Sequence, residues 1–164
     1  MTARAAPSLW RAVTRLGCFE LALLLPVLVL LGLSRLLILC LTFRRIAPWL
    51  GAQGGTLAWT PLLAPDQERR AARIGRLVLQ VARHTPWQSN CFPQAVTARL
   101  LLGACGIPYN LFFGLARSDA GLAAHAWVVA GRVHVSGGAS FGRFTVVACF
   151  FTRSLAALPG TGRL

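Results

Sequence analysis

The alternation of apolar and polar positions divides the chain into a helical first half and a strand-rich second half. Residues 8 to 43 are almost continuously apolar through "LGCFELALLLPVLVLLGLSRLLILCLTF", which predicts one long helix with a kink at Pro26. A Gly/Pro-rich connection, "PWLGAQGGTLAWTPLLAP", follows over 48–65. Between Asp66 and His84, Ile74, Leu77, Val78 and Val81 recur at helical spacing with arginines opposite them, the pattern of an amphipathic helix. "TPWQSN" breaks it. A third helix is expected from Cys91 to Ala104, stopped by Gly106 and Pro108. "YNLFFGLAR", "HAWVVA", "RVHV" and "FTVVACF" then read as four strands, with the glycine of "VAGRV" turning a hairpin between the second and third. Helices first and strands afterwards argue an α+β domain built on an antiparallel sheet. We divide the chain into an apolar helical segment over 1–50, a linker over 51–65 and a main domain over 66–155.

The first apolar segment admits three readings. A signal peptide fits the basic start and apolar centre, but no small-x-small cleavage site follows Leu33. A membrane span needs about 20 apolar residues. Reaching that length here means including Arg35, which is costly within a bilayer unless it snorkels to the interface. A buried or interfacial helix avoids that cost, and we expect it ahead of a span.

Charge adds one constraint. The net charge is +13, and every basic residue is an arginine. Such a balance invites acidic partners: nucleic acid, an anionic membrane face or an acidic peptide. The arginines are spread, however. Arg69, Arg70, Arg73 and Arg76 form the one cluster, without interleaved aromatics or a nucleic-acid motif, so we expect a solvated helix face and no nucleic-acid partner. Five scattered cysteines contain no C-x-x-C pair, which argues against a zinc knuckle or a dithiol motif and suits a reducing, cytoplasmic setting. No metal ligand set and no cofactor motif stands out; a site from Cys91, His125 and His134 is the weakest of the readings.

One placement carries chemistry. Cys91 opens a predicted helix behind the cap candidates Ser89 and Asn90, with Pro93 in the first turn. Unpaired N–H groups and a partial positive charge at such an end favour a thiolate. Cys105, at a helix end, meets the opposite sign. His125 follows on the first strand of the hairpin. A helix-borne cysteine facing a strand-borne histidine is the arrangement in which the imidazole takes the thiol proton and later protonates the leaving amine. By spacing alone, a small core cysteine and a core histidine explain the same residues.

The wider context is more specific. "WQSNCFPQAVTARLLLGACGIPYNLFFGLARSDAGLAAHAWVVAGRV" resembles the leader peptidases of lasso-peptide biosynthesis, the microcin-processing B proteins of the transglutaminase-like cysteine protease superfamily. The shared pieces are the cysteine opening a helix, the "GIP" turn, a strand ending in "GL" plus arginine, and "AHAW", in that order. "TFRRIAPWLG" and "FTVVACF" are also similar, so the resemblance spans about residues 18 to 151. It implies a papain/transglutaminase-like fold, Cys91 as nucleophile and His125 as general base. It implies no cofactor, and removal of the leader from a ribosomally made precursor peptide. The implied partners are that precursor, an asparagine-synthetase-like cyclase and a separate recognition protein, since no winged-helix module is apparent before residue 85.

The expected acid is missing. Many members of that family carry an aspartate about a dozen residues after the histidine, where this chain has Ser136 and Gly137. Asp119, upstream in "RSDAGL", reads as a turn residue. Ser136 or a backbone carbonyl is left to orient the imidazole, or the site works as a Cys–His dyad. Gln88 is the candidate oxyanion donor alongside the Cys91 N–H, and Trp87 and Trp127 are expected to pack around the site. The competing reading is a non-catalytic scaffold of the same fold that binds a peptide.

Overall fold

The computed structural model describes residues 17–41, 45, 52–53, 62–118 and 121–152. Helix α1 is Cys18–Cys40, the two-residue strand β1 is Ala52–Gln53, α2 is Pro65–Ala82 and α3 is Cys91–Ala104. Strands β2 (Asn110–Ser118), β3 (Gly121–Ala130), β4 (Val133–Ser136) and β5 (Thr145–Phe151) follow, with a 3-10 helix at Gly138–Arg143 before β5. The antiparallel sheet has the order β1-β5-β2-β3-β4. The expected α+β class is what the structure has. The expected extent of the first helix before Gly17 lies outside the described residues.

Local chemistry accounts for the helix limits. Pro65 occupies the first turn of α2, where its missing N–H costs nothing, and the Ala64 N–H donates to Gln67 Oε1 at 3.1 Å. In α3 the chain leaves the helix through Gly106 at φ +64, and the Ile107 N–H donates back to the Leu102 carbonyl at 2.9 Å. Gly131 (φ +57) makes the tight turn between β3 and β4 that "VAGRV" predicts.

One hydrophobic core holds α1, α2 and α3 against one face of the sheet. Ile74, Leu77 and Val78 of α2 and Ala95, Ala98, Leu101 and Leu102 of α3 meet Leu111, Ala126, Val128, Ala130 and Phe150. Val27 and Leu31 of α1 are fully buried in the same cluster. The other face of the sheet carries a smaller cluster of Phe112, Trp127 and Cys149, under Val129, Phe144 and Val146.

Helix α1 is apolar all round, and its sides differ in what they meet. Val27, Leu31 and Ser34 face the domain. Leu21, Leu25, Val29, Leu33, Leu36 and Leu39 are 48 to 65% exposed. At 3.6 residues per turn those six fall within an arc of about 120°, opposite the buried three. The helix is long and apolar enough to cross a membrane by length and composition, a test that core helices and signal sequences also pass.

Arg73 leaves the expected solvated face. Its guanidinium donates to both carboxylate oxygens of Glu20 at 2.5 and 2.6 Å and stacks over the Phe19 ring, joining α2 to the start of α1. The hydrogen bonds from Arg73 hold the Glu20 carboxyl down at about 2, against an ordinary value of 4.5. A carboxylate held low contributes stability that is present above its ordinary pKa and is lost as pH falls through the folded value. We expect the melting temperature to fall progressively between pH 4.5 and about 2, and Glu20→Gln to flatten that part of a thermal-denaturation profile. An equally steep acid loss in the variant would remove the pair from the explanation.

Candidate active site

The loop ahead of α3 is tied down by one hydroxyl. Thr85 Oγ1 lies 3.0 Å from the Ala82 carbonyl, 2.9 Å from the Trp87 carbonyl and 2.9 Å from Ser89 Oγ. Gln94, in the first turn of α3, reaches back with Nε2 to the Ser89 carbonyl at 2.6 Å. The break in "TPWQSN" is thus a fixed turn that delivers Cys91 to the first position of α3. Asn90 is the N-cap residue, but its side chain makes no capping bond. Neither hydroxyl nor amide therefore covers the helix end from the cap position, and Pro93 contributes no N–H there.

Cys91 and His125 line the same cleft. Its volume is about 340 Å³, and its other walls are Phe92, Phe113, Gly114, Leu115, Ala124, Ala126 and Val147. Apart from Cys91 and His125, none of the lining side chains is ionisable. Phe92 beside Cys91 packs on Phe113 at 5.4 Å between ring centroids, fastening the start of α3 to β2. Strand alternation puts Ala124, Ala126 and Val128 on the helix side, and His125 with Trp127 on the other. The two residues thus wall one cleft, while the imidazole ring is seated on the far side of the sheet from α3, against Trp127 and Phe144.

The imidazole of His125 is held by two aromatic rings and at one nitrogen. It stacks on Phe144 at 4.9 Å and on Trp127 at 5.9 Å. Gly114 is the cross-strand neighbour of His125, and a Cβ there would sit 2.7 Å from Phe144 Cβ and 2.9 Å from the Trp127 ring. Only a glycine leaves room for those rings to close on the histidine. His125 Nε2 lies 2.8 Å from the Gly137 carbonyl oxygen. A carbonyl only accepts, so Nε2 donates, and the lone pair of the neutral ring sits on Nδ1.

The other expected site residues lie elsewhere. Ser136 does not hold the imidazole: it pairs with Val128 and is turned into the helix-side core, 1% exposed, with no hydrogen-bond partner for its Oγ among the described residues. Gln88 is exposed and lines a different groove, with Val29, Leu33, Arg35, Leu36 and Leu39 of α1. Trp87 packs there on Gly32, while Trp127 packs on His125 as expected. His134 is exposed on β4, and Asp119 lies outside the described residues. Among the described residues no group of three His, Cys, Asp or Glu side chains is placed to hold a metal.

The five cysteines separate by environment. All are free thiols; Cys18 and Cys40 are exposed, Cys91 and Cys105 half-buried and Cys149 buried. Burial pushes the Cys149 thiol up to about 11, which keeps it protonated and unreactive near neutral pH.

Residues to which sequence reasoning gave no side-chain role complete the site. Gly114, Phe144 and Gly137 are small or apolar residues whose roles are spatial. The signal for Gly137 is positional: it is the residue 12 beyond His125, where an acid was expected.

No curated protein and no solved structure matches the chain. A family model does, over residues 37–149, which takes in the end of α1, α2, α3 and most of the sheet. A cysteine at the start of a helix, a histidine on an antiparallel strand and the model's match over more than half the sequence agree: the chain belongs to the transglutaminase-like superfamily, which includes cysteine peptidases.

Proposed function

We propose that the protein is a cysteine endopeptidase that removes the leader from a ribosomally synthesised lasso-peptide precursor. The observation that supports it most is the shared apolar cleft of Cys91 and His125; the sequence pattern around "GIP" and "AHAW" narrows the reading to leader removal. His125 Nδ1 takes the Cys91 thiol proton, and the thiolate attacks the scissile carbonyl. The peptide C–N bond breaks as a thioester forms, and the imidazolium gives its proton to the leaving amine. Water, deprotonated by the same imidazole, hydrolyses the thioester and frees the leader carboxylate. Amides at the start of α3 are the natural donors to the tetrahedral oxyanion. The uncharged walls favour small or apolar residues beside the cut bond. A separate recognition protein presents the precursor, and an asparagine-synthetase-like cyclase closes the product.

The test is reconstitution. The purified protein, a lasso-precursor peptide and the recognition protein are incubated and the masses followed. Two fragments summing to the precursor plus one water are expected; an intact precursor favours the non-catalytic scaffold. That second reading draws on one observation, that the hydrogen bond at His125 Nε2 goes to a main-chain carbonyl.

We further propose that the protein works in the cytoplasm at the membrane face, lying on it rather than crossing it. A span would pull Val27 and Leu31 out of the core they share with α2 and α3. The exposed leucine arc suits the headgroup–acyl boundary, and arginines at both ends of the segment suit anionic lipid. Co-sedimentation is expected with phosphatidylglycerol-containing vesicles and not with pure phosphatidylcholine. Failure to bind either vesicle would overturn the proposal.

A further inference from the structure

We infer that Gly137 is the positioning residue of the site, its main-chain carbonyl standing where a peptidase of this kind would carry an acid. The inference rests on the cysteine-peptidase reading for its purpose, and on geometry alone for its substance. His125 Nε2 donates to the Gly137 oxygen at 2.8 Å. This bond holds the ring and selects the tautomer, the two tasks an orienting carboxylate performs in a triad.

Residue 137 cannot hold a carboxylate with this backbone. Its φ is +92, a conformation that side-chain-bearing residues rarely adopt. A Cβ there would fall 2.2 Å from Trp127 Cβ and 2.9 Å from Trp127 Cα. The chain has passed so close to β3 that only hydrogen fits, and this approach brings the carbonyl to the ring. Trp127 therefore acts twice, stacking on His125 and setting where the 137 carbonyl lies. The remaining carboxylates described are engaged elsewhere. Glu20 pairs with Arg73, Asp66 lies 3.9 Å from Arg70, and Glu68 accepts from the Arg132 N–H at 3.3 Å. At Nε2 an uncharged acceptor orients the base.

The tautomer of His125 tests this without reference to activity. In ¹⁵N-labelled protein with the imidazole neutral, two-bond ¹H–¹⁵N correlations are expected to show the proton on Nε2. A proton on Nδ1 would overturn the inference. Gly137→Ala is expected to abolish the tautomer preference and to lower kcat by about 10²-fold, the scale for displacing a catalytic group by an ångström, with little change in KM. Gly138→Ala is the control, because φ is also positive (+61) but a Cβ there meets nothing within 4 Å. It is expected to keep both tautomer and kcat, and a loss as large as that of Gly137→Ala would overturn the specific role of residue 137. If Gly137→Ala does not fold, the wild-type tautomer decides alone. An Nε2 proton with no precursor cleavage would sink the peptidase reading and leave the positioning intact; cleavage with an Nδ1 proton would do the reverse.

Discussion

Cys91→Ala is expected to end leader removal while leaving the fold in place. Removing a nucleophile from a covalent mechanism costs on the order of 10⁴ or more in kcat, because the remaining groups have nothing to act through. The substitution itself is mild. Cys91 is half-buried at the first position of α3, outside the central core cluster, and alanine favours the helix. Far-ultraviolet circular dichroism and the melting temperature should stay close to those of the parent. A variant that still cuts the precursor at a comparable rate would remove Cys91 from the chemistry. Cys149→Ala makes the contrast: that thiol is buried and protonated, so its loss should touch stability and not the chemical step.

Leu31→Ala is expected to destabilise the whole domain by about 2–5 kcal/mol, the usual cost of emptying a fully buried leucine site. Leu31 has no exposed surface and packs in the cluster that contains Ile74, Val78 and Leu102. Leu25→Ala, on the opposite arc at 65% exposure, should stay within about 0.5 kcal/mol in solution. The same Leu25 variant should weaken vesicle binding, which Leu31→Ala should not do while the protein stays folded. The pair therefore separates a helix that is part of the core from one that is an independent span. Denaturant unfolding of both variants is the measurement, and a near-zero effect at Leu31 would contradict the packing described.

Much of the scaffold was legible because its signals are local. Cys91 and Ala104 bound α3 as expected, since "CGIP" is a strong helix stop and the capping region precedes an apolar run. β2, β3, β4 and β5 lie where their β-branched and aromatic runs put them, with shifts of a few residues at their ends. β1 was not legible. Its two residues hold no pattern and exist as a strand only through pairing with Phe150 and Phe151. Arg73 read as a solvated arginine because its partner Glu20 is 53 residues away. Gln88 failed to join the cleft for a related reason: spacing along a loop does not give the direction of its side chains.

The missing acid shows the same limit from another side. Residue types announce side-chain chemistry, so Ser136 and Asp119 could be named as candidates, while a backbone carbonyl was expected only as an alternative without a residue number. A carbonyl belongs to every residue and leaves no mark in a sequence. What betrayed it was a glycine at the expected distance from His125, a residue that matters because of the side chain it lacks.

Alkylation of Cys91 tests the central claim most directly, since it needs neither precursor nor partner. Cys105 is half-buried in the same chain, at the other end of α3, and serves as the internal reference. The protein is treated with iodoacetamide near neutral pH, and the labelled cysteines are followed by peptide mass mapping, in the parent and in His125→Ala. The account predicts that Cys91 is modified much faster than Cys105, and that His125→Ala removes most of the difference. Equal rates at the two cysteines, unchanged by His125→Ala, would contradict it.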